Sequence, residues 1–197
     1  MVPFLVLRPC CEVILLYIRH EHDVLRSVVQ DTGNIAYEQR VRLVEMVRIN
    51  LCAVSRLKRR LNQVWVCSLG ASGALVLCVT CIGIYLTFVE EFSTSQHLLT
   101  IMYGASTGLD FLDIANLSDA MVTEVRRIRY TLQKVATTEN MHYVNQLLFL
   151  ADSLEPGEMA LSGDGFFSLR LPLLVSLAGA VITYTVILVQ TSESVKK

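Results

Sequence analysis

Hydrophobic positions in this chain fall into two patterns, long uncharged runs and amphipathic repeats, and their alternation predicts the architecture. Residues 64–89 carry no charged side chain over 26 positions, and residues 171–190 carry none over 20. An α-helix needs about 20 apolar residues to cross a hydrocarbon core about 30 Å thick, so both runs predict membrane-spanning helices. The second is read as a helix over 166–190. Residues 98–117 predict a weaker span that holds Tyr103, Ser106, Thr107, Asp110, Asp113 and Asn116. Residues 1–18 are apolar, but Arg8, Pro9 and Glu12 interrupt them, which leaves too short and too charged a run to span by itself.

Between these runs the spacing changes to amphipathic helix. Within 20–63 a loop is expected at residues 31–34, where Asp31, Thr32, Gly33 and Asn34 cluster. Beyond it Val41, Val44, Val47, Leu51, Val54 and Leu61 form an apolar face against Arg42, Glu45, Arg48, Arg56 and Arg59. Glu38 with Arg42, and Arg42 with Glu45, stand at helical contact spacing. In 119–165, Met141, Val144, Leu148, Ala151 and Leu154 repeat near the helical period. Glu155, Pro156 and Gly157 end that helix, and residues 162–165 form a second loop. The fold class is therefore all-α: a polytopic membrane protein with three spans, a remnant of a fourth over 1–18, and long cytosolic helix extensions.

Composition agrees with the pattern, at 53% hydrophobic residues and a mean hydropathy of +0.49. The net charge of -1 decides little; the placement of charge decides more. Arginines precede the 64–89 run and, with Lys134, follow the 98–117 run, so both clusters lie on one side of the membrane. The positive-inside rule makes that side cytosolic. Three spans from there put the tail, 191–197, outside the cell, although Lys196 and Lys197 pull weakly the other way. Trp65 at the basic end of the first run, with Tyr85 and Phe88 at its far end, is placed like an interfacial aromatic. Gly70, Gly73 and Gly83 read as close-packing positions.

The basic helix suits anionic lipid better than nucleic acid, since no aromatic is interleaved with its arginines. Six cysteines predict no disulfide framework, and Cys78 with Cys81 reads as two small residues in a spanning helix. Residues 1–18 lack the basic start of a signal peptide. No phosphate loop, nucleophile elbow or metal-ligand spacing is present, and the four histidines are scattered, with surface exposure the default for His20 and His22. Asp110 and Asp113 share one side of a helix. They would serve as a cation site, as an acid and base pair, or as carboxylates wetted at the inner membrane exit, and the last is preferred. No catalytic residue, metal or cofactor is expected, and the protein is read as no enzyme.

In the last run Ser176, Gly179, Thr183, Val186 and Gln190 recur at alternating spacings of three and four, and so share one face. Leu173, Leu174, Leu177, Val181 and Leu188 lie mainly elsewhere. A small, polar face of this kind is most simply a packing seam between helices; a pore lining is the alternative.

Thr183-Tyr184, a hydrophobic run and then Gln190 resemble the terminal Thr-Tyr…Gln-Phe signature of the insect gustatory receptor family. Residues 165–169 are similar to that family's lead-in to its last helix, and a long polar helix ending in Arg60-Leu61-Asn62 before a span is also similar. The likeness runs from about Glu38 to Gln190, with Thr191 standing where the family usually has Phe. It implies a seven-helix, ligand-gated cation channel that assembles as a homo- or hetero-tetramer in the plasma membrane. Its last helix lines the pore, its cytosolic helices form an anchor between subunits, and a small-molecule tastant binds among earlier helices. Thr183, Tyr184 and Gln190 are the motif positions. On this reading the chain is the C-terminal portion of such a receptor, and the expected alternative is a non-conducting truncated isoform, or membrane interaction protein, that joins full-length subunits.

Overall fold

The computed structural model describes residues 2–30, 37–88, 94–136, 141–162 and 168–195. Five α-helices dominate: α1 (Val2–Gln30), α2 (Tyr37–Phe88), α3 (Thr94–Ala136), α4 (Met141–Ser153) and α5 (Leu171–Val195). Between α4 and α5 lie a 3₁₀ turn, Pro156–Met159, and two short strands, β1 (Leu161–Ser162) and β2 (Ser168–Leu169). The strands pair antiparallel, with Leu161 opposite Leu169 and Ser162 opposite Ser168.

The helix extension expected ahead of the 64–89 run is continuous with it. Helix α2 runs 52 residues without interruption, about 78 Å at the usual rise. The residues at the junction, Arg60 to Trp65, include neither Gly nor Pro, so the backbone ladder continues while the side chains change from basic to apolar. Helix α3 likewise joins residues 98–117, expected as a span, to the first part of 119–165. Helix α1 extends well past residue 18 and holds Pro9 inside it. The last helix starts at Leu171 rather than 166, because Ser168–Leu169 is drawn into a strand, and it continues past Gln190 to Val195.

The core is a seam along α1, α2, α3 and α4. Leu7, Cys11, Ile14, Ile18 and Leu25 of α1 are buried, as are Val44, Val47, Leu51 and Val54 of α2, on the face the periodicity predicted. Val41 and Leu61 of that face are half-buried at its ends. In α4 the buried line runs through Leu147, Leu150, Ala151 and Leu154, whereas Leu148, expected inside, is 41% exposed. Ala151 and Leu154 are buried as the periodicity predicted, and the departure is Leu147, which takes the inward position in place of Leu148 where α4 packs on α3. Expectations for the loop at 31–34, for residues 165–167, and for the side chains of Tyr85, Phe88, Met141 and Val144 fall outside the described residues.

Only 6% of the apolar window in α2 is buried within the chain. A soluble core helix would hide such a window; this one turns it outward, as a lipid-facing helix does. Helices α2 and α3 approach closely at glycines. A methyl on Gly104 would lie 3.3 Å from Val79 Cγ1, and one on Gly73 would lie 3.5 Å from the Phe111 ring, while Gly70 faces open space.

Candidate functional site on the last helix and its clasp

Helix α5 packs on α2 and, less, on α3 through Leu173, Leu174 and Leu177. The opposite side is open. Ser176, Gly179, Thr183, Tyr184, Val186 and Gln190 are all exposed, and a methyl on Gly179 would meet nothing within 4 Å. The structure therefore leaves the small, polar stripe, with Thr183 and Gln190 of the motif, on an uncovered face, while Tyr184, seven residues on from Leu177, is exposed on the leucine side of the helix. The hydroxyls of the stripe are satisfied locally: Ser176 Oγ donates to the Pro172 carbonyl at 3.0 Å, and Thr183 Oγ1 donates to the Gly179 carbonyl at 2.9 Å. Such i to i-4 bonds let a polar stripe lie in an apolar medium without orphaned donors.

The base of α5 is held by side chains that cross from α2 and α3 to the segment preceding it. The Ser162 amide donates to Asn62 Oδ1 at 2.8 Å, and Asn62 Nδ2 donates to Ser162 Oγ at 3.1 Å. The Leu161 amide donates to the buried Ser118 Oγ at 2.9 Å. Lys58 Nζ donates to the Glu158 carbonyl at 2.6 Å, Arg59 lies 3.4 Å from the Glu158 carboxylate, and Arg170 Nε donates to Asp119 Oδ1 at 3.3 Å. Burial pushes the Lys58 ammonium below its ordinary range, and the nearby Glu158 charge pulls it back only in part. Met159, Ala160, Leu161 and Leu169 bury their side chains beneath these bonds. This clasp fixes where α5 begins.

Asp110 and Asp113 are half-buried. Instead of facing only water, Asp113 Oδ2 meets Arg8 Nε of α1 at 3.1 Å, and Arg8 also donates to Glu12 Oε1 at 3.0 Å. Leu5, Arg8, Asp110, Asp113 and Ile114 enclose a cavity of about 90 Å³. The preferred reading of wetted carboxylates is amended for Asp113 alone, which keeps 43% side-chain exposure but is paired with Arg8. A basic residue in an otherwise apolar N-terminal segment was the signal for it. His20 is exposed as expected, but His22 is half-buried, with Nδ1 3.6 Å from the Glu124 carboxylate. Glu124 also meets Arg127 at 3.0 Å and Arg19 at 3.7 Å. Glu45 bonds Arg48 at 2.9 Å, one helical contact beyond the Arg42 partner that spacing suggested.

One helix with a long, outward apolar window fits a helical membrane protein. The family model described as 7tm Chemosensory receptor matches residues 2–194, and the chain belongs to that family of chemoreceptors. No curated protein sequence matches it. The membership accords with the insect gustatory receptor likeness of Thr183, Tyr184 and Gln190.

Sequence reasoning noted Arg60-Leu61-Asn62 only as a pattern; Asn62 is the residue of that triplet with a two-bond contact to the clasp. Ser118, Asp119, Lys58 and Arg170 were not singled out. Their partners lie 43 to 100 residues away in sequence, beyond the reach of periodicity.

Proposed function

We propose that the chain is the C-terminal membrane portion of a gustatory receptor, a ligand-gated cation channel subunit for taste and not an enzyme. Residues 64–89, 98–117 and α5 span the plasma membrane, with the C-terminus outside the cell. The basic halves of α2 and α3, with α4, form a cytosolic anchor through which subunits assemble as homo- or hetero-tetramers. The tastant binds in the full-length receptor among helices other than α5. Around an ion path, Ser176, Gly179, Thr183 and Val186 give a narrow, weakly polar wall. The Gln190 amide carbonyl replaces part of an ion's hydration without holding it tightly.

The observation that carries this reading is the exposure of that face of α5 while its apolar leucines pack inward. A packing seam within the chain would be covered by a neighbouring helix; this face is left for an ion path or another subunit. The test grafts residues 166–190 into a full-length, conducting relative and compares it with Gln190→Ala. A changed cation permeability ratio with intact assembly is expected. Unchanged permeability with a weakened tetramer would instead make the face a subunit seam. The alternative, a non-conducting protein that joins full-length subunits, predicts co-purification with a relative and no current when the relative is absent.

A further inference from the structure

A second site lies far from α5, where α1 crosses the basic half of α3. His22, Arg26, Arg126, Arg127, Tyr130 and Lys134 line a cavity of about 680 Å³ between the two helices. Its volume falls in the range of small-molecule sites, about 300–1,000 Å³. Its charge is one-sided. The acidic group of this crossing is Glu124, which is buried and engaged by Arg127, Arg19 and His22. Arg26 and Arg126 are exposed, and neither forms an ion pair among the described residues. Among the described residues, two arginines from different helices thus line one space without an ion-pair partner, and Tyr130 lines it with them.

We propose that this cavity binds a polyphosphate anion: a compact ring or chain bearing several phosphates, as in an inositol polyphosphate or a phosphoinositide headgroup. Guanidinium forks match phosphate oxygens with two parallel hydrogen bonds, and two forks on opposite walls favour a ligand with phosphates on more than one side. A single carboxylate would leave most of the charge unanswered. The lining residues of α3 begin six positions beyond Leu117, the end of the apolar segment, and run outward from about 9 Å at the helical rise. That depth favours a soluble ligand, although a large headgroup reaches the nearer rim. The inference rests on the α1–α3 cavity alone and stands whether or not the chain conducts.

The test uses the full chain in phosphatidylcholine nanodiscs, with inositol hexakisphosphate as probe, by isothermal titration calorimetry. Saturable binding that weakens as salt rises is expected. The double variant Arg26→Gln, Arg126→Gln should lose at least tenfold in affinity at an unchanged melting temperature. Arg56→Gln with Arg60→Gln, an equal charge loss on α2, should bind as the parent does. A second set of nanodiscs contains phosphatidylinositol 4,5-bisphosphate: competition with the probe identifies the headgroup as the source, and no competition identifies a free polyphosphate. Absence of saturable binding, or equal loss in both double variants, overturns the proposal, since the cavity would then be solvated basic surface.

Discussion

Replacing Asn62 by Ala tests whether the clasp holds the base of α5 or merely lies beside it. The change removes the acceptor for the Ser162 amide at 2.8 Å and the donor to Ser162 Oγ at 3.1 Å. Each such bond contributes about 0.5–1.5 kcal/mol net, so opening of the segment should become easier by about 1–3 kcal/mol. At about 1.4 kcal/mol per tenfold, that is about 5- to 160-fold less protection of the Ser162 amide from hydrogen exchange. The measurement is exchange mass spectrometry on peptides covering residues 155–170, in detergent, with peptides from α1 as the internal standard. Asn62→Asp supplies the control. It keeps an acceptor for the Ser162 amide, the Ser162 hydroxyl is free to turn and donate to it, and Lys58 and Arg59 stand one turn away to favour the charge. Protection should therefore stay within a few-fold of the parent. If Asn62→Ala leaves the Ser162 amide as protected as before, the apolar residues alone hold this segment and the hydrogen-bonded clasp is incidental.

Gly104→Ala gains about 0.5–1 kcal/mol of helix propensity, but its methyl would lie 3.3 Å from Val79 Cγ1, which must give by a few tenths of an ångström, so the variant should fall short of that gain. Gly73→Ala, at ordinary contact distance from Phe111, should show about 0.5–1 kcal/mol of stabilisation in a detergent melt, and a Gly104→Ala gain as large would show that Val79 yields freely. Glu124→Ala leaves Arg19, His22 and Arg127 without their shared carboxylate. The two arginines are more than half exposed, so screening limits the loss to about 1–2 kcal/mol, with Glu124→Gln costing less. Burial lowers the Lys58 pKa in the folded chain, so between that lowered value and the ordinary 10.5 the unfolded chain binds more protons and stability rises with pH. Melting temperatures of the parent relative to Lys58→Met should therefore rise across the alkaline range; a falling difference would contradict the burial of that ammonium.

The long helices were legible because apolar periodicity and charge placement are local quantities. Val44, Val47, Leu51 and Val54 could be assigned to one buried face from their spacing alone. The continuity of α2 across residues 63 and 64, expected as a helix extension ahead of the apolar run, was legible for the same reason. A helix closes its backbone bonds within itself, so it crosses a change of solvent without a break. The same local logic misplaced Leu148, since Leu147 beside it is equally apolar and packing on α3 chooses between them. The stripe on α5 was legible as a face but not as an exposed one. The clasp was invisible, because Asn62, Ser118, Lys58 and Arg170 are ordinary polar residues until the fold brings them to partners far along the chain.

The clasp answers a problem that the short hairpin creates. Strands of two residues leave most of their backbone groups without ladder partners, and those of β1 sit among buried side chains, where an unpaired amide costs about 1–3 kcal/mol. Side chains from the two long helices take the place of a third strand: Asn62 of α2 accepts from one amide of β1, and Ser118 of α3 accepts from the other. The consequence is mechanical. A shift of α2 along α3 cannot keep both bonds, because each is fixed to a different helix while the amides are adjacent on one strand. Such a shift must either drag β1, and with it the Arg170 tether to Asp119 and the first turn of α5, or break a buried hydrogen bond. Relative motion of the two long helices would therefore either displace the base of the last helix or cost one of the two bonds to the adjacent amides.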